Sequence, residues 1–305
     1  MLAVVRNVLA RRSVAARRKR PVLLCYDGSD RAEQAIRRAG ALLDDLSAIV
    51  LYVGAGESAH TPAEDGRRVA LETGFDPVSV VDDATGAVAE TILAHAERHG
   101  VAAIVVGSRG LSASRSTLLG SVSSRVTQDA RHPVLVVPPD PHSEPVRGPV
   151  FVCYDGSDGA GYAVATAGKL LARRDAILAY FLPAVDDGIV LQSTLPWPVS
   201  SAVQDRLAAL DREEAGRPVR VAAQGVEIAR RAGLEARSLA VGEEGLAGDH
   251  EAVAWGRLTE AAAAESASCI VVGHRRPARG VSRLDSTAYG LVNHADRPVL
   301  VVPAT

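Results

Sequence analysis

The sequence has little that would mark an exported, membrane-spanning or metal-binding protein. It holds three cysteines in 305 residues, each within an apolar run and none in a CxxC pair. We therefore predict neither a disulfide framework nor a zinc site, and we expect a reducing cytoplasm. The apolar runs are strand-sized and broken by Gly, Asp or Arg, so none reaches the ~20 residues of a membrane span. No transmembrane segment is predicted.

An excess of one charge is also lacking. The formal net charge is -2, whereas binding to the nucleic-acid backbone usually needs a strong basic excess, so we predict no specific nucleic-acid partner. The exception is the segment 1–20, which has no acidic residue and seven cations: Arg6, Arg11, Arg12, Arg17, Arg18, Lys19 and Arg20. We interpret it as a disordered basic tail. The alternative is a helix whose arginines contact anionic lipid or nucleic acid.

Common catalytic signatures are missing too. The sequence contains no Walker A motif, dinucleotide fingerprint, HExxH motif or G-x-S-x-G elbow, so neither a dehydrogenase nor a P-loop ATPase is predicted. His95 and His99 are four residues apart, but the glutamate between them is Glu97, which does not fit HExxH. We expect the two histidines to lie on a solvated helix face.

The chain does contain an internal repeat. Three segments return in the same order, namely VLLCYDGSD at 22–30 and VFVCYDGSD at 150–158, AIVVG at 103–107 and CIVVG at 269–273, and PVLVVP at 133–138 and 298–303. This order indicates a duplication. With the length of the chain it predicts two domains, 21–139 and 149–305, joined by an exposed linker at 140–148.

Each copy alternates short runs of Val, Ile and Leu with longer segments rich in Ala and Arg. This pattern predicts a parallel α/β sheet whose strands are buried on both faces. The predicted strands of the first copy are Val22–Tyr26, Ala48–Val53, Pro77–Val81, Ala103–Gly107 and Val134–Val137, and its predicted helices are Arg31–Leu43, Gly86–His99 and Ser121–Ala130. Between its second and third strands we expect only a short connection that bears Gly and Asp.

The second copy repeats this order with a longer middle. Its predicted strands are Val150–Tyr154, Ala176–Leu182, Glu235–Ala240, Ser268–Gly273 and Val299–Val302. Between the second and third of these, Ser201–Arg231 has helical composition. Trp197 lies in the same insertion, where we expect ordinary packing over the end of the sheet.

Two segments that follow strands carry candidate ligand-binding residues, because ligands of parallel α/β sheets bind beyond the carboxyl ends of the strands. Asp27-Gly28-Ser29 follows the first strand. Gly107 and Gly110 follow the fourth, and after nine more residues Gly120-Ser121 begins a helix.

This glycine spacing suits phosphate. Glycines let backbone N–H groups turn inward around an anion, and the N-terminus of a helix offers unsatisfied N–H groups and a positive dipole end. The hydroxyls of Ser121 and Ser123 would add donors. The alternative is that the glycines only shape turns and that Ser121 caps the helix.

The spacing G-2x-G-9x-G-[ST] resembles the signature of the ATP-binding universal stress protein family, and both copies resemble its domain over nearly their whole length. The resemblance implies two Rossmann-like, adenine nucleotide alpha hydrolase-like domains, each a five-stranded parallel sheet with helices on both faces. It implies ATP with Mg²⁺ as the ligand. Carried over by position, the binding residues are Cys25, Tyr26, Asp27, Val53, Val106, Gly107, Arg109, Gly110, Gly120, Ser121, Val122 and Ser123.

Several of these assignments keep an alternative. Asp27 would accept hydrogen bonds from the ribose hydroxyls, or it would cap the following helix, although Ser29 or Asp30 can do so instead. Arg109 would contact phosphate or remain solvated, and Tyr26 would pack against the base or only close the strand end. No residue clearly activates a water molecule, so we expect at most slow ATP hydrolysis or autophosphorylation on Ser121 or Ser123.

The second copy departs from the signature. Arg276 replaces Gly110, Asp285 replaces Gly120, and the loop is one residue shorter. A carboxylate then occupies the phosphate position, and we expect no ATP there. The alternative is a different anion held by His274, Arg275, Arg276, Arg279 and Arg283.

The family's domains commonly pair through their last strands. The resemblance therefore implies intramolecular pairing of Val134–Val137 with Val299–Val302 and leaves a further homodimer open. It implies a nucleotide-dependent regulator of the stress response. Two other functions are left open, namely an interaction module that binds no nucleotide and an enzyme of the related adenine nucleotide hydrolase type.

Overall fold

The computed structural model describes residues 20–43, 47–55, 59–83, 86–108, 119–139, 147–171, 174–182, 218–242, 250–275 and 286–304. Several sequence-based predictions lie outside these residues. They concern the tail before Arg20, most of the linker, and the single positions Arg109, Gly110, Trp197, Arg276, Arg279, Arg283 and Asp285.

Both copies alternate strands with helices. The first consists of β1 (Val22–Cys25), α1 (Asp30–Leu42), β2 (Ser47–Val53), α2 (His60–Glu72), β3 (Asp76–Asp82), α3 (Val88–His99), β4 (Ala103–Gly107), α4 (Ser121–Asp129) and β5 (Val134–Val137). The second consists of β6 (Val150–Cys153), α5 (Asp158–Leu170), β7 (Asp175–Leu182), α6 (218–231), β8 (Glu235–Gly242), α7 (His250–Ala264), β9 (Cys269–His274), α8 (Ser286–His294) and β10 (Val299–Pro303).

The strands form one ten-stranded sheet in the order β3-β2-β1-β4-β5-β10-β9-β6-β7-β8. Neighbouring strands within each copy are parallel, which confirms the predicted fold class. At the centre β5 and β10 run antiparallel, with Leu135 opposite Leu300 and Val136 opposite Val299. The order places β1 between β2 and β4, so the carboxyl ends of these three strands lie side by side.

Apolar side chains cover both faces of the sheet. Leu24 and its neighbours on one face pack beneath α1, α2, α5 and α6. Leu23 and its neighbours on the other face pack beneath α3, α4, α7 and α8. Because successive side chains of a strand point to opposite faces, strands covered on both sides have the continuous apolar runs that the sequence displays.

The expected short connection between β2 and β3 is wrong, because α2 occupies it. Gly66 lowers the helix propensity of this segment, but it also lets the helix approach the sheet. A Cβ on Gly66 would lie 2.8 Å from the ring of Tyr26 and 2.9 Å from Val50 Cγ1. In the second copy Gly225 of α6 lies against Tyr154 in the same way, 2.7 Å from ring to ideal Cβ. Packing decides the structure here, against local propensity.

None of the helices described is long and apolar enough to cross a membrane. In the same part of the chain, no three His, Cys, Asp or Glu side chains are grouped so that they could hold a metal ion.

Candidate functional site

The predicted binding residues of the first copy meet at the carboxyl ends of its strands. Cys25 ends β1, Val53 ends β2, and Val106 and Gly107 end β4. Asp27 follows β1 directly. The remaining described members form the N-cap and first turn of α4, namely Gly120, Ser121, Val122 and Ser123. Because β1 pairs with both β2 and β4, these groups are neighbours at one edge of the sheet.

One side of this edge is apolar and only partly covered. Cys25, Val53 and Val122 are half-buried and pack against the hydrophobic cluster on the face beneath α3 and α4, and so does Leu119. Burial, together with the charge of Asp27, raises the pKa of the Cys25 thiol to about 12. The thiol therefore stays neutral near pH 7. Because only the thiolate is a good nucleophile, Cys25 acts here as an apolar surface.

The turn after β1 holds the Asp27 carboxylate in a fixed position. Gly28 takes a φ of +84°, which a glycine adopts without a steric penalty. The backbone N–H and the hydroxyl of Ser29 both donate to Asp27 Oδ1, at 3.0 and 2.6 Å. Ser29 is the N-cap of α1, and its Oγ accepts from Ala32 N at 3.1 Å. Ser29 thus caps the helix, which leaves Asp27 as a carboxylate at the sheet edge.

The described ends of the glycine loop are hydrogen bonded to each other. Gly120 N donates to Ser108 O at 2.7 Å, and Ser123 Oγ donates to Gly107 O at 2.6 Å. Gly120 is the N-cap of α4 and provides no side-chain cap, so an anion can take that place at the first-turn N–H groups. The hydroxyl proton of Ser123 is used within the loop, which leaves the exposed Ser121 as the hydroxyl that can face a ligand.

Tyr26 closes the strand end and lies on the other face of the sheet from Cys25 and Val53. Its ring is 8% exposed and packs beneath Gly66 in the cluster on the α1 and α2 side of the sheet. Cys25 and Val53 pack on the opposite side. Tyr154 repeats the arrangement in the second copy, so the aromatic ring serves packing in both copies. Burial raises the pKa of Tyr26, as does the negative charge of Glu33, so the phenol remains neutral.

Sequence reasoning missed a polar pair beside these residues. His95 is 3% exposed, so the expected solvated helix face is wrong for it, although His99 is exposed. His95 Nε2 lies 2.7 Å from Asp82 Oδ2. Asp82 is the last residue of β3 and the register partner of Val53. The sequence does contain a signal for the burial of His95, because His95 falls on the apolar stripe of α3 with Ile92 and Ala96.

Other groups occupy the corresponding positions of the second copy. Phe181 takes the position of Val53, one residue before the end of β7, and Ala288 stands where Ser123 does. Ala288 is fully buried and has no hydroxyl. Of the residues proposed for an alternative anion site, His274 is 1% exposed and Arg275 is exposed. The described part of this site thus lacks the valine and the serine of the first copy, although Cys153 ends β6 as Cys25 ends β1.

Known proteins resemble both copies. The sequence model of the Universal stress protein family matches residues 19–138 and 147–303. A universal stress protein of Mycobacterium tuberculosis is 35% identical over 119 residues, which are 38% of this chain and 37% of that protein. One of Bacillus subtilis is 43% identical over 74 residues, 24% of this chain and 49% of that protein. The matched parts thus span half or less of these relatives.

A solved structure resembles nearly the whole chain. The crystal structure of a universal stress protein from Archaeoglobus fulgidus has a TM-score of 0.58 and covers 94% of this chain and 99% of its own. Its sequence identity is 18%, so this likeness concerns the fold alone.

Proposed function

Since the chain belongs to the universal stress protein family, with both copies matched, we propose that its first domain, 21–139, binds ATP with Mg²⁺ and thereby regulates the conformation or the partners of the chain in a stress response. One observation carries the proposal. The α4 N-terminus, which has no side-chain cap, lies at the same sheet edge as the half-buried Cys25, Val53 and Val122.

Each part of a nucleotide has a counterpart at this edge. The phosphates would accept hydrogen bonds from the first-turn N–H groups of α4 and from the Ser121 hydroxyl, and the helix dipole favours their charge. Asp27 would accept from the ribose hydroxyls. The adenine ring would cover Cys25 and Val53. Val106, Gly107 and Gly120 would form the backbone wall, and Arg109 and Gly110 would complete the loop.

The second domain, 149–305, would not bind ATP. Asp285 and Arg276 stand at its phosphate-loop positions, and Ala288 lacks the hydroxyl through which Ser123 bonds to Gly107 O. Losing two or three charge-assisted contacts at about 1.5–3 kcal/mol each lowers affinity by roughly two to six decades. We propose that this domain is a structural partner, held to the first through β5 and β10.

Calorimetric titration of ATP and Mg²⁺ into the full chain tests this function. Gly120→Asp places the second domain's residue in the first and adds a negative charge at the phosphate position. Gly256→Asp is the matched control, because a side chain at Gly256 on α7 meets open space. We expect about one ATP per chain for the wild type and the control, and no binding for Gly120→Asp. Folded wild-type protein without binding would favour an interaction module.

A further inference from the structure

We propose that Asp82, held in place by His95, recognises the base through its exocyclic amino group at the edge next to Val53. This inference rests on the proposed nucleotide binding and adds to it a residue that determines specificity.

Asp82 lies beside the base position proposed above. It is the register partner of Val53 on the neighbouring strand. Val53 and Val80 pack against the hydrophobic cluster beneath α3 and α4. Asp82 lies two residues after Val80, so its side chain points to the same face of the sheet. The Asp82 side chain is 25% exposed. Its carboxylate therefore borders the apolar edge formed by Cys25 and Val53 and remains accessible to a ligand.

His95 fixes the direction of that carboxylate. A carboxylate only accepts hydrogen bonds, so the nitrogen 2.7 Å from Asp82 Oδ2, His95 Nε2, carries the hydrogen. The other ring nitrogen, Nδ1, is buried without a hydrogen-bond partner in the structure. A buried polar atom in this state costs free energy. A histidine here is thus a poor choice for packing alone, whereas it suits the positioning of Asp82.

The second copy shows that the fold does not need the pair. Val241 takes the position of Asp82, and Ala261 takes that of His95. Val241 is 7% exposed, and the strand and helix around both residues are otherwise retained. The pair occurs in the copy that keeps the glycine spacing and is replaced by apolar residues in the copy that has lost it.

The charges at the strand ends have an order that fits a nucleotide. The N-terminus of α4 lies beyond β4, whereas Asp82 ends β3, which is three strands from β4 in the order β3-β2-β1-β4. Three interstrand spacings are about 14 Å. A ligand with phosphates at one end and a hydrogen-bond donor at the other is favoured. The 6-amino group of adenine donates to a carboxylate, whereas the 6-oxo group of hypoxanthine would place two acceptors together.

Competitive titration of ATP and inosine triphosphate, each with Mg²⁺, tests the assignment on the full chain. We expect the wild type to prefer ATP by about ten- to hundredfold, the range of a hydrogen bond to a charged group. Asp82→Asn keeps the size of the side chain and adds an amide that can donate to the 6-oxo group. It should remove or invert the preference, with weaker ATP binding and stronger inosine triphosphate binding. Asp83→Asn removes an equal charge from the exposed neighbouring residue and should leave the preference unchanged.

His95 is tested through the same ratio. His95→Ala, which imports the residue of the second copy, should lower the preference for ATP several-fold because Asp82 loses the hydrogen bond from His95. His95→Gln retains a donor and should restore part of the preference. A residue needed only for packing would give equal losses for both nucleotides in both variants.

The outcomes separate this inference from the function on which it rests. If the wild type binds ATP and Asp82→Asn weakens both nucleotides by the same factor, Asp82 is structural and the inference is overturned. A wild type that binds inosine triphosphate as well as ATP overturns it as well. If the folded wild type binds neither nucleotide, the proposed function fails and the inference fails with it.

Discussion

Ser29 and Asp27 act together, although sequence reasoning treated them as competing caps. Ser29 caps α1 and also donates twice to Asp27. In the second copy Ser157 caps α5, and its N–H donates to Asp155 Oδ1 at 2.9 Å. The same turn is therefore a structural element in both copies, and under the proposed function its carboxylate binds the nucleotide in the first copy alone.

Ser29→Ala should lower the free energy of unfolding by about 1 kcal/mol through loss of the cap and should also weaken ATP binding, because Asp27 loses its hydroxyl donor. Ser157→Ala is the matched control, with a similar loss of stability and unchanged binding. Urea unfolding and calorimetric titration measure the two effects. Equal weakening of ATP binding by both variants would contradict the assignment of Asp27.

The buried thiol of Cys269 should make stability depend on pH. Burial raises its pKa to about 12 in the folded protein, from 9.0 when free. The thiol therefore ionises more readily in the unfolded chain. Its contribution to stability is complete below pH 9 and is lost as pH rises toward 12.

We expect the free energy of unfolding of the wild type to fall between pH 9 and 12 more steeply than that of Cys269→Ala. The difference in slope should approach 1.4 kcal/mol per pH unit at most. Urea unfolding across this range measures it, and Cys25 and Cys153 remain in both proteins, so their titration cancels in the difference. Parallel curves would show that the Cys269 thiol titrates normally.

At the scale of strands and helices, the sequence predicted the elements that are marked by apolar runs. The ten strands and the helices α1, α3 and α4 were expected within one or two residues of their observed ends. The helix α2 was missed because Gly66, which fits the contact with Tyr26, weakens the local pattern. The His95–Asp82 contact was missed because it joins α3 to β3 across the sheet face, and spacing along one helix cannot reveal such a partner.

Gly66→Ala should destabilise the protein by about 1–3 kcal/mol, because its Cβ would overlap the ring of Tyr26. Gly225→Ala should have a similar effect against Tyr154. Gly86→Ala, where the Cβ meets open space, is the control. Thermal unfolding monitored by circular dichroism measures the three variants. If Gly66→Ala is as stable as Gly86→Ala, α2 does not pack on the sheet as described.

At the scale of the whole molecule, the copies meet along the central antiparallel strands. Leu135 and Leu300 face each other there with no exposed surface. The side chain of Arg174 in the second copy also donates to Ala41 O near the end of α1 in the first. A cation is favoured at a helix C-terminus, so this contact adds to the pairing of the two sheet edges.

A paired cysteine variant tests this contact in solution. Val136→Cys with Val299→Cys replaces register partners, whose Cα atoms in antiparallel strands lie about 4.5–5.5 Å apart, within the range of a disulfide. We expect oxidation to join them within one chain. Val136→Cys with Val302→Cys, which is out of register, should not cross-link. A cross-linked dimer on a non-reducing gel would instead indicate pairing between two chains.

The central claim is that one of two similar domains binds the nucleotide, and hydrogen–deuterium exchange with and without ATP and Mg²⁺ tests it most directly. The two copies serve as internal controls for each other. We predict slower exchange on ATP addition at residues 22–29 and 121–124, and no change at the corresponding residues 150–157 and 286–289. Equal protection of both copies, or protection of the second alone, would contradict the account.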